Sequence, residues 1–152
     1  MKVNQGLSVN QATQELTDLI KASAGVATQY PATGTHQFTT GSNVLILKLP
    51  SVSASGQIID EVFDYAIITK EPAGSKILKI KIFPDNLSTR KSADKVVSTS
   101  LKNVNFTYLN SSNVQVPSSQ AARINFIINQ EDTIGAATGG NSSSAVVNIK
   151  NL

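Results

Sequence analysis

From Ser8 to Ala24 the positions Val9, Ala12, Leu16, Leu19, Ile20 and Ser23/Ala24 recur at spacings of three and four, which lines them along one face of an amphipathic helix. Ser8 with Gln11 three residues on has the form of a capping box, and Gly25 supplies a stop. Residues 27–42 are rich in Thr, Gly and Ser around Tyr30-Pro31 and read as a long loop. Beyond it the period changes from 3.6 to 2 and stays there.

Asn43 to Leu49 alternates, with Leu45, Leu47 and Leu49 on one side and Lys48 on the other. Glu61 to Thr69 sets Phe63, Tyr65 and Ile67 together as an inward face. Lys76 to Phe83 sets Leu78, Ile80 and Ile82 against Lys79 and Lys81. The turn chemistry of Glu71-Pro72-Ala73-Gly74-Ser75 joins these two runs as a hairpin. Leu101 to Leu109 turns Val104, Phe106 and Tyr108 inward, and a short strand follows at Val114 to Val116. Ala122 to Asn129 contributes Ile124, Phe126 and Ile128, and Ala145 to Asn151 contributes Val147 and Ile149. The stretches 85–94 and 131–144 read as loops. The expected architecture is α+β: one domain, 1–152, with an N-terminal amphipathic helix packed on one antiparallel β-sheet.

Composition narrows the chemistry. The chain has 152 residues and no cysteine, which removes disulfides, thiolate metal sites and thiol nucleophiles. A single histidine excludes multi-histidine metal centres. Lys plus Arg is 13 against 10 for Asp plus Glu, a net charge of +3 that is too mild to mark a nucleic-acid-binding protein on its own. Ser, Thr, Asn and Gln outnumber the charged residues, as on β-rich surfaces outside the cell.

Candidate chemistry is sparse. His36 lies in the polar loop without a nucleophile or an orienting carboxylate in motif spacing. Asp60, Glu61 and Asp64, and again Glu131-Asp132, supply oxygen ligands of the kind calcium takes, but no calcium-loop spacing, and read better as solvated acids flanking strands. The run Gly135 to Gly140 lacks the Lys-Ser/Thr ending of a phosphate loop and reads as a hairpin loop. The one basic concentration, Lys76, Lys79, Lys81, Arg90 and Lys91, fits phosphate contact. It fits better the lysines that guard an exposed sheet against edge-to-edge pairing. No catalytic, metal or cofactor residue is assigned.

The order of these features resembles the globular domain of type IV pilin-like proteins, in particular minor pilins of the W type and minor pseudopilins of the J type. The phrases that carry the resemblance are Leu19-Ile20-Lys21-Ala22-Ser23 at the helix end, the leucine-dense Val44 to Leu49, and Phe63-Asp64-Tyr65-Ala66-Ile67 with a hairpin partner ending at Phe83-Pro84. The most telling is Phe106-Thr107-Tyr108-Leu109-Asn110. An Ile-rich strand from Ala122 and a final strand toward Asn151 complete the order.

The resemblance implies a non-enzymatic structural subunit of a type IV pilus, or of a secretion or competence pseudopilus, at a bacterial surface or in the periplasm. It implies other pilin-like subunits as partners, no cofactor, and a monomer when the domain is isolated. It also implies about 20 or more mostly apolar residues before Val3, extending the helix into the inner membrane before assembly. A binding module is the alternative, either a receptor for DNA or an adhesin tip, and the basic hairpin is its sequence support.

Overall fold

The computed structural model describes residues 9–31, 34–35, 37–71, 74–134 and 137–149. Helix α1 runs Val9–Ala22 and buries Ala12, Leu16 and Ile20. It ends where the Ser23 N–H and hydroxyl both donate to the Ile20 carbonyl, at 3.1 and 2.7 Å. Gly25, at φ 147°, then lets the chain pass straight from helix into strand, a turn that L side chains rarely allow. Ser8 of the expected capping box lies outside the described residues.

The strands are β1 (Gly25–Val26), β2 (Gln29–Tyr30), β3 (Phe38–Thr39), β4 (Leu45–Val52), β5 (Ile58–Lys70), β6 (Leu78–Phe83), β7 (Ala93–Ser98), β8 (Leu101–Leu109), β9 (Arg123–Ile134) and β10 (Ala137–Asn148). They form three antiparallel sheets: β1-β4-β5-β6-β7, β10-β9-β8 and the small pair β2-β3. The expected α+β layout, a helix laid over a single sheet, is therefore wrong: the fold is predominantly β, with one N-terminal α-helix.

The reason is an apolar face too large for the helix. Fourteen residues span about 21 Å and bring three fully buried side chains. The five-stranded sheet presents Leu45, Leu47, Leu49, Ala66, Ile68, Leu78, Ile80 and Val97. The three-stranded sheet presents Val104, Phe106, Tyr108, Ile124, Phe126, Ile128 and Val147. These two faces and the helix stripe make one core. Both sheets turn these faces into that core, and α1 packs against β9 and β10 of one and β7 of the other. An ion pair from Lys95 on β7 to Glu15 on α1 ties that side together.

The chain crosses between sheets at Thr99-Ser100. There Gln130 donates to the buried Ser98 hydroxyl at 3.0 Å, and the Glu131 N–H reaches the Ser100 carbonyl at 2.7 Å. Several local expectations also change. The stretch 27–42 contains β2 and β3, and 85–94 leads into β7, which the alternation did not show. Residues 131–134 and 137–144 continue the β9–β10 hairpin. Val114 to Val116 makes one isolated bridge, Leu109 to Gln115, where a strand was expected.

The inward face assigned to β5 is inverted. Ala66 and Ile68 enter the core, while Phe63, Tyr65 and Ile67 lie on the opposite face. That face carries Tyr30 from β2, Phe38 from β3 and Phe83 from β6.

Candidate functional site

The basic hairpin comes together with acids rather than standing free. Lys79 and Lys81 project from β6 on the outer face of the five-stranded sheet and share Glu71 and Asp94. Lys79 lies 3.4 Å from Asp94 and 3.9 Å from Glu71, and Lys81 binds Glu71 and lies 3.9 Å from Asp94. Lys76 pairs with Glu131, and the ammonium hydrogen bond holds that carboxyl below its ordinary range. Arg90 is committed to Asp64. Of the five residues singled out, Lys91 alone is exposed without an ion pair among the described residues. His36 and its loop neighbours Ala32 and Thr33 lie outside the described residues.

Asp64 departs most from its expected role. Far from being solvated, it is completely buried on β5. It accepts the Ser51 hydroxyl at 2.7 Å, the Asp85 N–H at 2.9 Å, the Ser88 hydroxyl at 2.8 Å and Arg90 Nε at 2.7 Å. Burial alone would raise its pKa; these hydrogen bonds outweigh burial and hold it below the usual carboxylate value. Arg90 also donates to the Pro50 carbonyl at 3.0 Å. The cluster clasps the segment after β6 onto β4 and β5. Every acceptor position is in use by the protein itself, so the geometry is that of a structural clasp. Asp60 and Glu61, by contrast, are exposed. Among the described residues no three metal-ligating side chains gather.

Two surface features remain. The first is an open groove of about 730 Å³ between α1 and β10, lined by Thr17, Asp18, Lys21 and Ala22 of the helix and by residues 145–148 of the strand. β10 is the last strand of its sheet, so its outer backbone N–H and C=O groups have no strand partner among the described residues. Residues 137–148 contain no proline and no charge, the usual guards of an exposed edge, and Val146 is 57% exposed. The final strand was expected from alternation, but its position as an unguarded edge was not legible, because strand order is not encoded in the alternation. The second feature is a cleft of about 260 Å³ on the outer face of the five-stranded sheet, among Tyr30, Phe63, Tyr65, Phe83 and the segment Pro84-Asp85-Asn86.

Comparison with protein-family models, with curated proteins and with solved structures finds no match for this chain. Among the described residues no helix is long and apolar enough to cross a membrane.

Proposed function

We propose that the chain is a non-enzymatic structural subunit of a surface filament of the type IV pilus or pseudopilus kind, holding its neighbours through strand edges and the helix beside them. The observation that carries this reading is the unguarded edge of β10 next to the α1 groove. An added strand would satisfy the free backbone groups of β10, while its alternate side chains would enter the groove over Ala22, Ala145 and Val147. Asp18 and Lys21 at the groove would fix the register by charge.

The phrases that resemble minor pilins also support it, since each has a local structural task. Ser23 closes the helix on Ile20. The Tyr108 hydroxyl donates to the Gly41 carbonyl at 2.8 Å, and Asn110 accepts the Ser112 and Val114 N–H groups to shape the turn after β8. The reading rests on element order and on this edge. It does not draw on the helix-on-sheet architecture, which the chain does not adopt.

The test is to express the gene in its own cells with an epitope in the exposed turn at Ser55-Gly56, and to shear and fractionate surface filaments. The chain is expected in the sheared fraction, and Val146→Lys is expected to deplete it there without lowering the melting temperature of the purified protein. Retention of the unaltered chain in the cytosol overturns the reading.

A further inference from the structure

Five of the eight aromatic residues, Tyr30, Phe38, Phe63, Tyr65 and Phe83, avoid the main core and gather on the outer face of the five-stranded sheet. Burial alone does not account for this, because these rings stay only partly buried while smaller aliphatic residues fill the core. Tyr30 stacks on Phe83 with centroids 4.9 Å apart and planes 17° from parallel, and Tyr65 leans on Tyr30 at 5.1 Å and 47°. The pKa of Tyr30 is raised first by burial and then by the neighbouring Tyr65. Both tyrosines line one cleft with Phe63 and Phe83.

The rim of the cleft is polar and held in place. Asp85 uses one carboxylate oxygen to accept the Leu87 N–H at 2.9 Å, and its own N–H is fixed by buried Asp64. Asp85 and the exposed Asn86 both line the cleft. Lys48 stands over Phe63, 5.1 Å from the ring centroid.

We propose that this cleft is a binding site for a neutral sugar ring. A pyranose has an apolar C–H face that stacks on aromatic rings and a circumference of hydroxyls. Here the rings meet the face, and the Asp85 carboxylate, the Asn86 amide and the two phenols meet the hydroxyls. A purely apolar ligand would strip water from Asp85 and Asn86 without replacing it, which is unfavourable. Asp85 on the rim would repel an anion, and the face of Phe63 that would hold a cation already carries Lys48. The volume, below the roughly 300–1,000 Å³ of drug-sized pockets, suits one ring rather than a long chain. The Asp64–Arg90 clasp beneath the rim fixes Asp85 before any ligand arrives, so little ordering is left to binding. The inference stands apart from the filament reading and does not depend on it.

The experiment is a titration of the isotope-labelled chain, followed by amide chemical shifts, with the methyl β-glycosides of glucose, galactose, mannose and N-acetylglucosamine. Tetramethylammonium is run as a parallel probe. At least one glycoside is expected to give saturating shifts at millimolar concentration, confined to residues 30, 63–65 and 83–86. Tyr65→Phe, which removes only a hydroxyl, and Asn86→Ala, at an exposed position, are each expected to weaken that titration about fivefold or more, the equivalent of one lost hydrogen bond. Shifts that fail to saturate, that lie elsewhere, or that ignore both variants overturn the proposal. So does saturation by tetramethylammonium in place of every sugar, which would make the cleft a cation cage.

Discussion

The two large sheets teach different things about how the chain encodes its fold. The three-stranded sheet has one face in the core and one in water. Val104, Phe106 and Tyr108 on β8, and Ile124, Phe126 and Ile128 on β9, alternate with Asn105, Thr107, Asn125, Asn129 and one exposed apolar residue, Ile127. The five-stranded sheet is covered on both faces at its centre. On β4 and β5 the consecutive residues Leu45, Ile46 and Leu47, and Ala66, Ile67 and Ile68, are all fully buried. The first sheet relies on water to define its direction. The second is defined by what lies above it, the β2–β3 pair and the aromatic patch.

The largest expected effect lies in the clean sheet. Phe126 is fully buried and meets Phe106 at 6.5 Å between centroids. Phe126→Ala is expected to cost about 3–5 kcal/mol in a urea unfolding series. A loss below that of the outer-face phenylalanine, Phe83, would overturn the assignment of which face is core.

Next comes the buried charge of the covered sheet. Asp64→Asn is expected to cost about 3 kcal/mol near neutral pH, the low end for a broken buried ion pair, because Arg90 keeps a third of its side chain exposed. The sign of the pH effect follows from the lowered pKa. The folded state holds the carboxylate deprotonated more strongly than the unfolded chain does. Its contribution is therefore complete above the unfolded carboxylate value, about 3.9, and is lost as pH falls through the lower folded value. The stability gap between the native chain and Asp64→Asn should be flat from about pH 5 to 8 and close in acid. A gap that instead widens below pH 4 would mean the carboxyl is held protonated.

Phe83→Ala should fall below both, at about 1–1.5 kcal/mol, since its ring is half-covered and loses only part of the burial a core residue has. A loss as large as that at Phe126 would make the outer aromatic patch a second core and remove the contrast between the sheets.

The same contrast explains what was legible. β8 and the inward face of β9 follow from alternation alone, because Asn and Thr mark the wet side at every outward position between Asn105 and Thr107 and between Asn125 and Asn129 except Ile127. On β5 the alternation is real, but Phe63 and Tyr65 are bulkier than Asp64 and Ala66, and that contrast drew the inward direction to the wrong face. The positive φ of Glu61, 59°, accompanies a register shift between β4 and β5 just before Phe63, a change of phase that no hydrophobic pattern announces. β7 escaped because Ala93 to Val96 are exposed and Val97 is its one core hydrophobic residue, too short a signal for a period of two. The surface sites were less legible still. The cleft needs Tyr30, Tyr65 and Phe83, which lie on three different strands, and the clasp needs Ser51, Asp64, Ser88 and Arg90. Neither has a motif spacing, because each is assembled by strand pairing rather than along the chain.

The smallest effect is expected where the covered sheet carries its ion pairs. Lys79 stands on β6 opposite Thr69, with its side chain 23% exposed, and contributes to a square of charges with Lys81, Glu71 and Asp94. Removing it leaves both acids with Lys81 as a neighbour, so no carboxylate is stranded, and its nearer partner Asp94 keeps 53% of its side chain in water, which screens the pair. Lys79→Ala should therefore change stability by no more than about 0.5 kcal/mol, and added salt should shrink that difference further. The measurement is a pair of urea midpoints at low and high ionic strength. A loss matching Phe83→Ala would show that the outer face of this sheet is held by its charges rather than by its rings, and the account of β5 as a strand covered by aromatic packing would fail with it.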